Sequence, residues 1–155
     1  MRAVQPQDHP PVEKLIVEHW GAASMVIHGE VFYPADLPGF LALRGQEICG
    51  LVTYAVQARD CEIISLDAFQ PGLGIGSRLV EEVKSAAQAL GCRRLHLVTT
   101  NDNINALAFY QKRGFRLAEL RPNAIEASRR IKPEIPLIGE NGIPIRDEIE
   151  LEMEL

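Results

Sequence analysis

Hydrophobic positions change their spacing along the chain, and each spacing predicts a different kind of element. Three consecutive apolar runs, separated by short polar turns, predict an antiparallel meander. These runs are Gly39 to Arg44, Glu47 to Gln57 and Cys61 to Ala68. Before them, residues 2–5 predict a short strand and the spacing at 12–20 predicts a helix. Residues 21–38 show no clear period, and we expect a second short helix and a loop there.

From Ser77 the apolar spacing becomes helical, and Gly91 suits the end of that helix. A strand-like run at 94–99 follows, so that strand, glycine turn, helix and strand form a βαβ unit. The next helix is short and begins at Asp102 or Asn103, since both residue types cap helix N-termini well. The chain therefore combines an antiparallel meander with a crossover helix.

The last part of the chain ends in a strand of strict alternation. A short helix is predicted at 123–130, and prolines and glycines break the chain after it. From 148 to 155 glutamates at the even positions alternate with Ile, Leu and Met, which predicts a strand with one apolar face. We expect the glutamates to be solvated and to protect a sheet edge from pairing. The alternative is that this acidic row attracts a cationic substrate.

Composition narrows the class of protein. The chain has 155 residues, of which 46% are hydrophobic and 24% charged, so we expect one domain over residues 1–155. A net charge of -5 and a pI near 5.4 argue against nucleic acid as a partner. No apolar run approaches the ~18 residues of a membrane span, and the N-terminus lacks a signal-peptide core, so we expect no membrane association and a cytoplasmic location. Three widely spaced cysteines predict neither a disulfide framework nor a metal site.

The stretch that carries the candidate chemistry joins the third meander strand to the following helix. Gly72, Gly74 and Gly76 alternate there. A glycine turn that opens a helix directs backbone N–H groups outward and adds the positive end of the helix dipole, which together form a phosphate site. The P-loop pattern fails because no lysine follows Gly76, and the dinucleotide pattern G-x-G-x-x-G fails on spacing. The alternative is a tight turn without a ligand.

A second pattern lies on the short helix that starts near residue 103. Asn103, Ala106 and Tyr110 fall on one helical face, where the small residue leaves room for a thin ligand. Together with the glycine turn, this pattern resembles the GNAT superfamily of N-acetyltransferases, over about Gly39 to Arg121. The resemblance implies an α/β fold in which a central mixed, mostly antiparallel sheet has splayed middle strands and is flanked by helices. It also implies acetyl-CoA in the split as cosubstrate, and no metal.

The resemblance assigns cofactor contacts residue by residue. Backbone amides of the glycine turn would hold the pyrophosphate of coenzyme A; these residues are Gly72, Leu73, Gly74, Ile75, Gly76 and Ser77. Backbone groups around Leu66 and Ala68 would pair with the pantetheine arm as an added strand. On the short helix, the asparagine would hydrogen-bond that arm, the alanine would leave space for it and the tyrosine would reach the sulfur. One departure is Pro71, which stands where the family usually carries Gln or Arg and which has no N–H.

The same resemblance implies acetyl transfer to an amine. Tyr110 would act as general acid and protonate the departing thiolate, with a tyrosine packed in the core as the alternative. A backbone N–H near residues 66–68 would stabilise the oxyanion. Glu62 is a candidate general base, since strict alternation places it on the same strand face as Ile64 and Leu66.

Substrate-side residues are predicted from the segment before the meander. Glu30 and Tyr33 lie on a loop that would cover an acceptor pocket. Glu30 and Asp67 are further candidates for the base. Alternation places Asp67 on the strand face opposite Glu62. The alternative for each of these carboxylates is a solvated side chain. Cys61 is a poor candidate for an acetylated intermediate, because no activating histidine is near it in sequence. We therefore expect direct transfer in a ternary complex.

The predicted function is an N-acetyltransferase that moves an acetyl group from acetyl-CoA to a primary amine. In that prediction, residues 1–38 supply acceptor-side helices and a loop, 39–121 form the acetyl-CoA-binding core, and 122–155 add a helix, a loop and the last strand. The alternatives are a non-catalytic acyl-CoA-binding or sensor module and a structural or partner-binding domain. An open strand edge is compatible with a homodimer.

Overall fold

Nine strands and four helices form in the computed structural model, which describes residues 1–155. The strands are β1 (Arg2–Ala3), β2 (Met25–Ile27), β3 (Glu30–Phe32), β4 (Gly39–Arg44), β5 (Glu47–Gln57), β6 (Asp60–Ala68), β7 (Arg94–Thr100), β8 (Arg116–Arg121) and β9 (Glu148–Glu154). The helices are α1 (His9–Trp20), α2 (Ile75–Ala89), α3 (Ile104–Lys112) and α4 (Ala124–Ile131). Short 3-10 turns lie at Pro6–Asp8, Pro34–Asp36 and Glu140–Gly142. None of the helices is long and apolar enough to cross a membrane.

The mixed α/β class, with mostly antiparallel strands and flanking helices, is confirmed. Contacts divide the chain into two compact units. The first unit contains residues 1–25, 33–95 and 155, and the second contains 26–32 and 96–154. The prediction of a single domain over 1–155 stays a prediction.

Four strands form the sheet of the first unit, in the order β1-β4-β5-β6. Each neighbouring pair is antiparallel, and Leu41 lies opposite Leu51 in the pairing of β4 with β5. The predicted meander is therefore confirmed. Leu41, Leu51 and Leu79 are 0% exposed, so the apolar face of α2 contributes to the same core as the strands.

Helix α2 packs closely on this sheet at Gly50. A Cβ atom at Gly50 would lie 2.5 Å from Ile75 Cγ2 and 3.0 Å from Leu79 Cδ1, so the absence of a side chain lets the start of α2 approach β5. Ile75 is buried, whereas Leu73, two residues earlier, is 59% exposed. Packing therefore fixes where α2 begins and leaves the preceding glycine turn at the surface.

A β-bulge in β6 changes which face its side chains occupy. The pairing of β6 with β5 slips by one residue, and the extra residue is Ile64. Glu62 therefore shares a face with Ser65 and Asp67 rather than with Leu66. The expectation from strict alternation is wrong for Glu62, because one inserted residue reverses the face of every side chain before it.

Three strands form the sheet of the second unit, in the order β7-β9-β8, and the ribbon β2-β3 belongs to this unit through residues 26–32. Strands β8 and β9 pair antiparallel. The long connection between them contains α4, close to the helix predicted at 123–130. Strand β8 was not predicted from its sequence, which lacks a regular alternation of apolar and polar residues.

Two further expectations, about the segment 21–38 and about the last strand, are wrong. The segment 21–38 contains the strands β2 and β3 and a 3-10 turn rather than a helix, because His28 and Gly29 both adopt positive φ, 42° and 80°, and reverse the chain. Strand β9 lies between two strands rather than at an edge. Its glutamates are not uniformly solvated, since Glu148 is 3% exposed whereas Glu154 at the other end is exposed. The alternation of β9 is therefore correct, but its polar face is covered at the Glu148 end.

We expect Gly50→Ala to lower the free energy of unfolding by about 1–3 kcal/mol, because the added methyl group collides with Ile75 at the start of α2. In an Ile75→Ala background the same substitution should cost about 1 kcal/mol less, since the colliding methyl group is absent. Chemical denaturation of the four proteins measures both values. Equal costs in the two backgrounds would contradict the close approach.

Candidate active site

The turn between β6 and α2 holds its glycines in a conformation that other residues rarely adopt. Gly72 and Gly74 have φ values of 84° and 68°. A Cβ atom at either position would meet no atom within 4 Å, so open space lies over both residues. Backbone conformation, and not crowding, is therefore the reason for glycine at these two positions.

Helix α2 starts directly after this turn. Gly74 is its N-cap, and the Gly74 carbonyl accepts a hydrogen bond from the Arg78 N–H at 3.1 Å. Gly74 has no side chain that bonds to the first-turn amides, and the N–H groups of residues 75 and 76 precede the Arg78–Gly74 hydrogen bond that opens the helix. Together with the helix dipole, these donors form a site for an anion. Pro71 adds no donor to it.

A polar and aromatic cluster borders the end of β6 in the first unit. The Trp20 Nε1–H donates to Asp67 Oδ2 at 3.0 Å, and the His19 ring stacks on Phe69 with centroids 4.4 Å apart. Burial raises the pKa of the Asp67 carboxyl, and this effect exceeds the opposing hydrogen bond from Trp20 and the nearby charge of His19. Sequence reasoning missed this cluster because 47 residues separate Trp20 from Asp67.

The side chains at the start of β6 are buried. Glu62 is 8% exposed and Cys61 is 0% exposed. Burial raises the pKa of the Cys61 thiol to about 12, so its nucleophilic thiolate is scarcely populated at neutral pH. Cys61 is thus unsuited to carry an acetyl group. At the other end of the strand, Leu66 is half-buried and Ala68 is exposed.

Helix α3 carries the second sequence pattern, within the second unit. Asn103 is its N-cap, and Asn103 Oδ1 accepts a hydrogen bond from the Ala106 N–H at 3.1 Å. Tyr110 is 7% exposed, and its ring makes edge contacts with Phe109 and Phe115 at centroid distances of 5.0 and 5.3 Å. The predicted cap is therefore confirmed, and the phenol ring is held by two aromatic neighbours.

Two polar residues just before α3 anchor the long connection that precedes β9. Asn101 Oδ1 accepts from the backbone N–H groups of Arg146 and Asp147, both at 3.0 Å. Asp102 Oδ2 accepts from the Glu140 N–H at 3.0 Å. Gly139 passes so close to Asp102 that no side chain fits there. Sequence reasoning missed these positioning contacts, since each joins residues about forty positions apart in a chain whose folding brings them together.

The predicted acceptor-side residues lie on the segment before β4. Glu30 begins β3 and is exposed, and it belongs to the second unit. Tyr33 is 55% exposed and belongs to the first unit. No group of three or more His, Cys, Asp or Glu side chains is arranged to hold a metal ion.

The sequence and the fold are similar to those of known acetyltransferases. Residues 6–115 match the sequence model of the Acetyltransferase (GNAT) family. Uncharacterized protein YdhI of Bacillus subtilis (strain 168) is 50% identical over 133 residues, which cover 85% of this chain and 83% of YdhI. Uncharacterized protein YxbD of the same organism is 46% identical over 145 residues, which cover 93% of this chain and 91% of YxbD.

One similar solved structure contains a cofactor. The crystal structure of a GNAT family acetyltransferase from Elizabethkingia anophelis has acetyl-CoA bound. It is 26% identical to this chain, with a TM-score of 0.68, and the match covers 98% of this chain and 92% of that one.

We expect Asn103→Ala to lower the free energy of unfolding by about 1 kcal/mol, because it removes the side-chain acceptor at the start of α3. Asn105→Ala is the matched control, since Asn105 is an exposed asparagine two residues further along, in the first turn of the same helix, and is not its N-cap. Urea denaturation measures both variants. The role of the cap would be contradicted if Asn105→Ala cost as much as Asn103→Ala.

Proposed function

The chain belongs to the GNAT acetyltransferase family, and from that premise we propose that it is an N-acetyltransferase that moves an acetyl group from acetyl-CoA to a primary amine by direct transfer. The resemblance in the glycine turn and in α3 is confirmed at the level of family and fold. The observation that supports a bound cofactor is the glycine turn, because open space lies over its backbone donors.

The glycine turn is the proposed pyrophosphate site. Its two left-handed glycines turn the backbone into α2, and the helix supplies first-turn donors at 75 and 76 and a positive dipole end. The proposed contacts are the backbone amides of Gly72, Leu73, Gly74, Ile75, Gly76 and Ser77. A free adenine nucleotide offers phosphate as well, so binding of acetyl-CoA is supported further by the acetyl-CoA in the similar Elizabethkingia structure.

The pantetheine arm is proposed to lie along backbone groups of Leu66 and Ala68, in the manner of an added strand. On α3, Asn103 and Ala106 are the residues proposed to contact the same arm. The cap bond of Asn103 uses Oδ1, so its Nδ2 is available to donate to a carbonyl of the arm. Ala106 contributes a small side chain beside that amide.

Acetyl transfer needs one bond to form and one to break. The neutral amine attacks the thioester carbonyl and forms the C–N bond; the C–S bond then breaks and the sulfur leaves as a thiolate. Tyr110 is proposed to donate its phenolic proton to that sulfur, and the phenolate then takes the extra proton of the new C–N nitrogen, directly or through water, which leaves a neutral amide and a free thiol. Because the unperturbed pKa values are roughly 8.5 for a thiol and roughly 10 for tyrosine, this proton transfer is close to balanced. A backbone N–H near residues 66–68 is proposed to stabilise the oxyanion.

An aliphatic amine must lose a proton before it attacks. Glu62 is proposed as the base that receives this proton, directly or through water. Its burial keeps it away from bulk solvent, and the bulge at Ile64 determines the face of β6 from which it acts. Glu30 and Tyr33 are proposed as acceptor-side contacts.

We expect Tyr110→Phe to lower kcat by about 100-fold or more, because the leaving thiolate loses its proton donor. Tyr54→Phe is the matched control: Tyr54 is 8% exposed and lies on β5, so the loss of its hydroxyl should leave kcat within about threefold. Release of the free thiol of coenzyme A measures turnover. Stabilisation by acetyl-CoA, about 2.7 kcal/mol at 100 times its Kd, should be retained in both variants.

The outcomes of that experiment separate enzyme from sensor. Loss of turnover with retained acetyl-CoA binding supports the general acid. A wild-type protein that is stabilised by acetyl-CoA but releases no thiol with any amine would be a sensor, and a protein that acetyl-CoA does not stabilise would have no cofactor site in the glycine turn.

We expect direct transfer without an acetylated protein. Varying both substrates should give intersecting lines in double-reciprocal plots, and labelled acetyl-CoA alone should leave no acetyl group on the protein. Cys61→Ala should keep kcat within about threefold, because its buried thiol is protonated. Cys92→Ala, at another buried cysteine, is the control. Parallel lines in the double-reciprocal plots would contradict direct transfer. An acetyl label that appears on the wild-type protein but not on the Cys61→Ala variant would contradict it as well.

A further inference from the structure

A β-hairpin forms within the long connection that precedes β9, over residues 137–145. The Gly139 N–H donates to the Ile143 carbonyl at 2.8 Å. Asn141 and Gly142 at the tip both adopt left-handed φ, 60° and 68°, which suits the tight turns that join antiparallel strands. We call this element the 137–145 hairpin. It belongs to the second unit, as α3 does.

Asp102 joins this hairpin to the residue that precedes the N-cap of α3. Its Oδ2 accepts from the Glu140 N–H at 3.0 Å, and its Oδ1 accepts from the Thr100 hydroxyl at 2.5 Å. Asp102 is 4% exposed, and no side chain fits at Gly139 beside Oδ2, so the hairpin backbone lies directly against the carboxylate. With both oxygens bonded and little room around them, this side chain is held in one position.

The backbone bends sharply between Asp102 and α3. The Ile104 N–H donates to the Asp102 carbonyl at 2.9 Å, which closes a three-residue turn with Asn103 at its centre. Asn103 has φ -83° and ψ 70°, the conformation of an inverse γ-turn. One end of that turn is therefore the carbonyl of Asp102, whose side chain is already held by the hairpin and by the last residue of β7.

The direction of the Asn103 side chain follows from the contacts around this turn. Its Oδ1 accepts from the Ala106 N–H at 3.1 Å, and its backbone N–H donates to the Thr100 carbonyl at 3.1 Å. Because the side-chain amide is planar, these contacts also set the direction in which its Nδ2 donates. A shift of Asp102 would move the γ-turn and, with it, this donor.

We propose that Asp102 is a positioning residue for the coenzyme: it fixes the γ-turn at Asn103 and thereby directs the Nδ2 donor toward the pantetheine arm. This inference rests on the proposed function, in which Asn103 contacts that arm, and it gives a role to a residue that touches no substrate. A donor whose direction is fixed before binding loses little conformational entropy when the arm binds. The 137–145 hairpin supplies the fixed point, because the Glu140 N–H holds the carboxylate.

A double-mutant cycle with Asn103→Ala tests this inference. We expect Asp102→Ala to raise the Kd for coenzyme A about tenfold, since the Asn103 amide is no longer held in the binding direction. Asn103→Ala alone should raise the Kd by a similar factor, and the double variant should bind no more than about threefold more weakly than Asn103→Ala. Isothermal titration calorimetry measures each Kd. Independent effects, which would add to about 100-fold in the double variant, overturn the inference, and so does an unchanged Kd in Asp102→Ala.

The conservative variant Asp102→Asn should restore binding. Its amide oxygen can accept the Glu140 N–H and its amide N–H can donate to the Thr100 hydroxyl oxygen, so both contacts of the side chain persist. We expect its Kd for coenzyme A to stay within about threefold of the wild-type value. A loss as large as that of Asp102→Ala would contradict a role that depends on these two contacts.

Arg129→Ala is the matched control for the hairpin. Arg129 Nη2 donates to the Ile145 carbonyl at 2.7 Å, so the substitution loosens the same hairpin from α4 and leaves the contacts of Asp102 in place. The Kd for coenzyme A should stay within about threefold of the wild-type value. A tenfold loss in Arg129→Ala would assign the effect to the hairpin as a whole and overturn the role of Asp102.

A truncated ligand shows whether the effect acts through the pantetheine arm. Adenosine 3′-phosphate 5′-diphosphate carries the phosphates of coenzyme A and lacks the arm. Asp102→Ala should bind it as the wild type does, within about threefold. An equal loss of affinity for both ligands would mean that the substitution acts elsewhere, and it would overturn the inference.

Thermal unfolding without ligand shows whether each variant folds, and the titrations are made well below the lowest Tm. If Asp102→Ala does not fold, Thr100→Val replaces it in the cycle, because this substitution removes the hydroxyl bonded to Oδ1 and keeps the Glu140 contact. Its Kd for coenzyme A should rise about three- to tenfold, and this rise should disappear in the Asn103→Ala background. A rise that persists in that background, or no rise, overturns the inference.

Failure of the proposed function has a different signature. A wild-type protein that binds coenzyme A but releases no thiol from acetyl-CoA with any amine would not be an N-acetyltransferase, and the cycle of Kd values would still decide the role of Asp102. A wild-type protein that does not bind coenzyme A would overturn both proposals.

Discussion

The approach of α2 to β5 over Gly50 is the contact on which the candidate site depends. Without a side chain at that position, Ile75 reaches the sheet and is buried at the first turn of its helix, while Leu73 is exposed. Helix starts ordinarily fray, because their first amides have no partners within the helix. Here the first turn is anchored in the core, so its donors are fixed in direction at the surface. Donors that are already ordered bind an anion without a further loss of conformational entropy.

Local patterns predicted much of this fold, and long-range pairing decided the rest. The meander, α2, α3 and the Asn103 cap follow from period, turn residues and capping chemistry within short windows. The face of Glu62 does not, because the bulge at Ile64 depends on how β6 pairs with β5, and one extra residue reverses the alternation. The same holds for β9, whose alternating sequence is equally compatible with an edge and with a central position. The ribbon at His28 was missed because a histidine seldom adopts positive φ.

The fold itself explains the burial of two acidic side chains, Asp8 and Asp147. Asp8 accepts two hydrogen bonds from Arg2 and one from the Gln5 N–H, and these interactions hold the pKa of its carboxyl at about 2. Asp147 accepts two hydrogen bonds from Arg146, and that pairing, with a backbone N–H, keeps the pKa of its carboxyl below its usual range. In both cases several donors replace the water that burial removes. In this way Asp8 anchors the N-terminal end of the chain, and Asp147 anchors the connection that precedes β9.

Glu148 follows Asp147 directly in the chain and is compensated differently, by the positive charge of Arg121 opposite it in the pairing of β8 with β9. Its one hydrogen bond, from the His28 N–H, fastens a turn that a neutral glutamine would fasten equally well. Burial of a carboxylate without a countercharge costs several kcal/mol, and the nearby guanidinium of Arg121 reduces that cost for Glu148. The hydrogen bond from His28 therefore accounts for the position of this side chain, and the attraction to Arg121 accounts for its charge.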